Sequence, residues 1–286
     1  MITPLWLLTA CQSFGPTTYI DELRIMAVQT VPAEISPSDD TIEINILIAD
    51  PLDNGADVLI WTCTNLGEGC LEEQFYPDMS EGWVHSFSYE EPVSNISFPL
   101  NPGLEVLVQE IPEDLIPFEG TTLWALACQP MQCPAISDFK AGTLDSKFLS
   151  NPSTMIADLG FGVASLAKRR LRISNRPLDE RIQNPILAPS FEDNPSIKIN
   201  ESKDLLFDYV LNSEKQTGAS LSGYSSAGSI RLERRDNSQS EKIDLEGEWS
   251  LTWESGESAK IGAFYMVLEN GDGGVDFWTG LASVKE

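Results

Sequence analysis

The stretch Ile42-Glu43-Ile44-Asn45-Ile46-Leu47-Ile48, followed by Ala49-Asp50-Pro51-Leu52-Asp53-Asn54-Gly55, decides the fold class. Isoleucine recurs at every second position, and successive side chains of a strand point to opposite faces, so all four isoleucines share one face. β-branched residues are stiff at χ1 and pack well on a pleated surface, which predicts that this face is core. Glu43, Asn45 and Leu47 take the other face. The run stops where Pro51 removes a ladder donor and Asn54-Gly55 accepts positive φ, the chemistry of a hairpin turn.

Similar runs lie on either side. Leu23 to Gln29 precedes it; Asp57 to Cys63 follows, with Trp61 and Cys63 on one face. Leu104 to Ile111 and Thr121 to Cys128 supply two more strands, the second with Trp124, Leu126 and Cys128 sharing a face. Residues 76–102 are ambiguous, carrying Trp83, Phe87, Tyr89 and Phe98 for packing beneath a long connection. Further on, 205–211, 229–235, 248–253, 261–268 and 275–284 alternate again between Gly, Ser, Asn and Asp. Short strands at this spacing predict an all-β sandwich, twice over. A chain of 286 residues also exceeds the roughly 100–200 of a usual domain. The expected division is a first sandwich over 20–140, a linker over 141–167 and a second sandwich over 168–286. Asn151-Pro152 through Gly160 reads as a short linker helix, with a cap residue, Pro at the first helical position and Gly at the end.

The net charge of −26 argues against nucleic acid, since a phosphate binder needs cations to displace counterions. An anionic membrane surface repels it as well. Residues 1–167 hold 24 of the 44 acids but only Arg24, Lys140 and Lys147 as cations. Such a field attracts divalent cations or a basic partner, or serves as a solvated surface. The composition shifts at Lys168, Arg169, Arg170, Arg172, Arg176 and Arg181, a basic stretch expected to open the second module and to face the acidic first one across a seam.

The chain begins with an apolar run ending in Leu8-Thr9-Ala10-Cys11, then turns polar at Gln12 and Ser13. This resembles a bacterial lipobox, and the resemblance implies a signal peptide over 1–11, lipidation of Cys11 and, with Gln12 rather than Asp after it, transfer to the outer membrane. The run departs from the pattern in lacking a preceding Lys or Arg and in being shorter than roughly 7–15 residues; a start assigned too late would explain both. No other segment approaches the roughly 18 consecutive apolar residues of a membrane-spanning helix, so the expected membrane attachment is the lipid alone. The remaining four cysteines, Cys63, Cys70, Cys128 and Cys133, suit disulfides in an oxidising compartment. Three connectivities are open, with the local pairs Cys63–Cys70 and Cys128–Cys133 preferred. A zinc site competes, but the spacings lack the C-x₂-C knuckles such sites use.

Leu23-Arg24-Ile25, Ile48-Ala49-Asp50-Pro51, Trp61-x-Cys63 and Asn270-Gly271-Asp272-Gly273-Gly274-Val275-Asp276-Phe277-Trp278 together resemble the Ig-like or PKD-like lipoproteins of myxobacteria and related predatory or marine bacteria. The resemblance implies two tandem Ig-like β-sandwich domains joined by a short helical and basic linker. It also implies export, and little about activity, because sandwiches host many functions.

Catalytic constellations are sparse. The single histidine, His85, has no motif around it, and Ser220, Ser222, Ser225 and Ser226 lie in a Gly/Ser-rich stretch, Gly218 to Gly228, that lacks a nucleophile elbow and reads as a flexible loop. Gly271-Asp272-Gly273-Gly274 is too short for a phosphate cradle. Asn270, Asp272 and Asp276 offer oxygens at positions one, three and seven of a loop, a candidate calcium site that competes with a plain hairpin turn. The expected function is non-enzymatic: an envelope lipoprotein serving as a binding or structural module for a protein or glycan. The alternatives are a glycoside-type hydrolase using a carboxylate pair, and an accessory subunit of an envelope assembly.

Overall fold

The computed structural model describes residues 21–36, 39, 41–64, 84–89, 93–99, 118–134, 159, 163–191, 194–212, 218–232 and 244–286, over which the chain is all-β. In chain order its strands are β1 (Arg24–Val31), β2 (Glu34–Ile35), β3 (Thr41–Ala49), β4 (Ala56–Thr64), β5 (Val84–Tyr89), β6 (Val93–Pro99), β7 (Phe118–Cys128) and β8 (Ala164–Ile173). They continue with β9 (Ile186–Pro189), β10 (Ser196–Lys198), β11 (Ser202–Val210), β12 (Ser220–Ser225), β13 (Ser229–Leu232), β14 (Glu246–Glu254), β15 (Lys260–Glu269) and β16 (Val275–Lys285).

The isoleucine strand behaves as its alternation dictates. Ile42, Ile44, Ile46 and Ile48 of β3 are all buried in a core formed with Val58 and Ile60 of β4 and with Leu123, Ala125 and Ala127 of β7. This core lies between a three-stranded sheet ordered β1-β3-β6 and a five-stranded sheet ordered β2-β8-β7-β4-β5. The five-stranded sheet is also buried on its other face, through Leu59, Trp61, Trp124, Leu126 and Cys128. Register places Trp61 opposite Trp124, and their rings stack with centroids 6.2 Å apart. The ambiguous region 76–102 contains β5 and β6, which extend the two sheets on β4 and β3. His85 lies in β5 opposite Ile60. The expected strand at 104–111 lies outside the described residues, as does the expected helix at 151–160 apart from Leu159.

A second core, centred on Phe207, Leu251, Trp253, Phe264 and Leu268, lies between sheets ordered β10-β16-β15-β12 and β13-β14-β11-β9. Trp253 packs edge-on against Phe264 at 4.8 Å and donates its indole N–H to the Ala227 carbonyl, which makes so large a side chain affordable in a dry core.

Two expectations are corrected. The basic stretch does not open the second module: β8 runs antiparallel beside β7, with Arg169 opposite Leu123 and Leu171 opposite Thr121, so a boundary at 168 would cut a strand of the first sheet. The alternation of Ala167, Leu171 and Ile173 toward the first core decides this, and the cations ride on the strand. The chain passes between the cores at 174–185. Nor is Gly218 to Gly228 a flexible loop, because β12 pairs with β15 from Ser220–Glu269 to Ser225–Phe264. Gly223 faces inward where the space is taken: a Cβ there would stand 3.0 Å from both Ile230 Cγ2 and Met266 Sδ.

Gly223→Val therefore overpacks the second core and is expected to cost about 1–3 kcal/mol despite the better strand propensity of valine. Urea unfolding reads the difference, and a neutral result would contradict the inward placement of Gly223.

Candidate functional site

The two cores meet along a seam that begins on the far face of β3. While its even-numbered isoleucines enter the first core, Leu47 and Ala49 point the other way and, with Ala27 of β1, pack against Tyr265, Val267 and Val275 of β15 and β16. Gln29, buried at the polar end of this patch, joins both units. Its Nε2 donates to the Val275 carbonyl at 2.7 Å and to Asp276 Oδ1 at 3.3 Å, while its Oε1 accepts from Asn45 Nδ2 at 2.8 Å. Burial, with the charge of Asp50 nearby, pushes the Tyr265 hydroxyl up to about 12.

The crossing segment is held by polar groups. The Glu34 side chain is fully buried, and its carboxylate accepts from Arg176 Nε at 2.8 Å, Arg176 Nη2, the Ser174 hydroxyl and the Ile182 N–H at 3.2 Å. Arg181 pairs with Asp39 at 2.9 Å. Asn184 then bridges three partners: its Nδ2 donates to the Thr30 carbonyl, its Oδ1 accepts from the Val275 N–H, and its backbone carbonyl accepts from Asn212 Nδ2. Arg176 and Arg181 thus meet acids at and just after β2, and the buried carboxylate of Glu34 lies outside the weak regime of exposed pairs.

The residues proposed for calcium serve this clamp. Asn270 donates through Nδ2 to the carbonyls of Gln183 and Leu211, and its Oδ1 accepts the N–H groups of Asp272 and Gly274. Asp276 Oδ2 accepts the Leu187 N–H at 2.8 Å. Gly273 has φ of +86°, and a Cβ on Gly274 would stand 2.7 Å from the Gln183 carbonyl oxygen, so the glycines let the crossing segment pass. This is a hairpin turn docked on a neighbouring chain segment. Among the described residues no group of three or more His, Cys, Asp or Glu is placed to hold a metal. Cys128 and Cys133 are joined by a disulfide, with Cα atoms 5.3 Å apart. Cys11, Cys70 and the side chain of Cys63 lie outside the described residues.

Beside the clamp, where β1, β8 and the β15–β16 turn converge, is a cleft of about 360 Å³. Lys168, Arg169, Arg170 and Arg172 line it, with Glu269 as the facing acid. Arg169 reaches across it, donating through Nη1 to the Val28 carbonyl and through Nη2 to the Gly273 carbonyl, both at 2.9 Å. Its Nε is buried without an acceptor among the described residues. Burial lowers its guanidinium to about 10, against the opposing pull of Glu269 and with a further lowering from Arg172. Lys168 sits over the Trp124 ring at 5.3 Å. The arrangement can recognise negative charge in a concave, partly dry setting.

Sequence reasoning missed Glu34, Gln29, Asn184 and the apolar outer pair Leu47 and Ala49. The pair was visible: a strand whose supposedly solvent face ends in Leu47-x-Ala49 has something to cover it. For Glu34, one acid among 44, no local signal exists.

Arg176→Ala is expected to cost about 3 kcal/mol in urea unfolding, because it leaves the buried Glu34 charge short of its main partner. A loss below about 1 kcal/mol would contradict the clamp. Asp276 supplies a pH test. Burial raises its carboxyl above the ordinary range, opposed by the N–H groups of Leu187 and Phe277 and by Gln29. The folded chain thus holds this proton more tightly than the unfolded one. Its contribution to stability is fully present below the unfolded carboxylate value and is lost as pH rises through the raised one. Asp276→Asn lacks that step, so the stability gap between variant and wild type is expected to move in favour of the wild type on acidification through this window. A gap independent of pH would contradict the assignment.

No family model and no curated protein matches the chain. Among solved structures it is similar to the SrpA adhesin from Streptococcus sanguinis, at 10% identity and a TM-score of 0.27 over 36% of this chain and 57% of that one. It is also similar to red sea bream transglutaminase, at 7% identity and 0.30 over 93% and 32%, and to murine CRIg, at 10% identity and 0.20 over 36% and 97%. The chain therefore spans little more than half of the adhesin chain and a third of the transglutaminase chain. At these scores none of the three bears on what the chain does.

Proposed function

We propose that the chain is a non-enzymatic lipoprotein of the cell envelope, tethered through Cys11 in the outer membrane, that acts as a binding or structural module toward a protein or glycan. In this reading it consists of two tandem Ig-like sandwiches, the first closing at Ile173 and the second opening at Ile186. The observation that carries the reading is the seam. An apolar patch and a clamped crossing segment fix one sandwich against the other, as suits a unit that presents its loops at a set distance and angle from a tether. The lipobox-like Leu8-Thr9-Ala10-Cys11 supports the tether, and the acidic first module supports a basic or cationic face on the partner.

The test is metabolic labelling with an alkyne fatty acid in the native host, followed by crosslinking and mass spectrometry. The wild type is expected to take up label and to fractionate with the outer membrane, and Cys11→Ser to take up none. Equal labelling of the two, or no label in either, would overturn the tether.

A further inference from the structure

We propose that the cleft where β1, β8 and the β15–β16 turn meet is a binding site for a single compact oxyanion, a phosphate or sulfate group free or esterified to a sugar. In a chain with 18 cations against 44 acids, four cations line one cleft within five consecutive positions of β8. Side chains on successive positions of a strand ordinarily diverge to two faces. The cleft lies at an open part of the β8 edge: β2 pairs only with Arg172 and Ile173, so the rest of that edge faces β1, where Ser165 Oγ accepts the Ile25 N–H, and Lys168 extends over Trp124.

Arg176 is committed to Glu34 and Arg181 to Asp39. Arg169 is different. Both of its hydrogen bonds go to neutral carbonyls, and its Nε is buried without an acceptor among the described residues. A buried guanidinium that bonds only neutral carbonyls favours a counter-anion, and a guanidinium fork matches the geometry of an oxyanion.

Size and charge narrow the ligand. A cleft of about 360 Å³ is at the small end of ligand pockets, large enough for one sugar-sized group. The total charge of −26 repels a long polyanion. Screening over roughly 8 Å at physiological salt hides the distant acids from a small ligand already in the cleft. The site is therefore built for one anionic group rather than for nucleic acid.

The inference deepens the binding reading above by naming a ligand chemistry, and its test does not involve the tether. The full chain is titrated calorimetrically with inorganic phosphate, with sulfate and with glucose 6-phosphate at constant ionic strength, with chloride as control. Because phosphate and sulfate stabilise folded proteins without binding a site, the arbiter is the double variant Lys168→Gln/Arg170→Gln, altered at two exposed side chains. Saturable binding of phosphate or sulfate, weakened about tenfold or more in the variant, is expected. Tighter binding of glucose 6-phosphate would identify an esterified sugar as the source, and equal binding the free anion. Absence of saturable heat, the same affinity in the variant, or an equal response to chloride would overturn the site. Loss of acyl labelling would leave it standing.

Discussion

The arrangement of the two cores depends on what surrounds the Glu34 carboxylate. A chain with 44 acids keeps most of them in water, yet this side chain has no exposure at all. An unpaired carboxylate in such a place is prohibitively costly, so donors must come to it. They come from one direction: Ser174, Arg176 and Ile182 all belong to the segment leaving β8. The segment is pinned against the first sheet before the next strand begins, and Asn184 transfers that constraint to the second unit through Val275 and Asn212. Satisfying that one charge fixes the start of the crossing segment, from which Asn184 reaches the second core.

The apolar half of the seam works on the opposite principle, being non-directional. Leu47, Ala49 and Ala27 exclude water against Tyr265, Val267 and Val275 without specifying an angle. Angle and register come from the polar set, in which Gln29, Asn184, Asn270 and Asp276 each have a fixed number of partners to satisfy. That separation of roles explains why the loop read as a metal site is so rich in oxygen: its oxygens receive the N–H groups of its own turn and of Leu187 in β9.

Much of the fold was legible because alternate residues enter one core: Ile42, Ile44, Ile46 and Ile48 of β3, Leu205, Phe207 and Tyr209 of β11, and Phe264, Met266 and Leu268 of β15. The legible part ended where side-chain size or partner identity came from elsewhere in the chain. Gly223 looks like a loop residue only until Met266 and Ile230 occupy the space beside it. The cations of β8 look like a domain opening only until Leu171 and Ile173 are seen entering the first core. The cleft was half legible: its basic residues were recognised as a cluster meeting a seam, but that Arg169 would span two backbone carbonyls there depends on a sheet edge and on a turn about 100 residues away.

The pairing of β2 with β8 has a bearing on how the chain acquires its shape. Two residues near position 35 wait for partners near position 173, and the donors for Glu34 follow immediately after them. Contacts so distant in sequence form slowly, because loop closure must precede the stabilisation they bring. On a chain emerging from its N-terminal end, β1 and β3 can pair early, but the first core stays open along one side until the basic strand arrives. Closure of the first core along β8 and burial of its acid then go together, because the strand and the donors for Glu34 arrive in one stretch of chain.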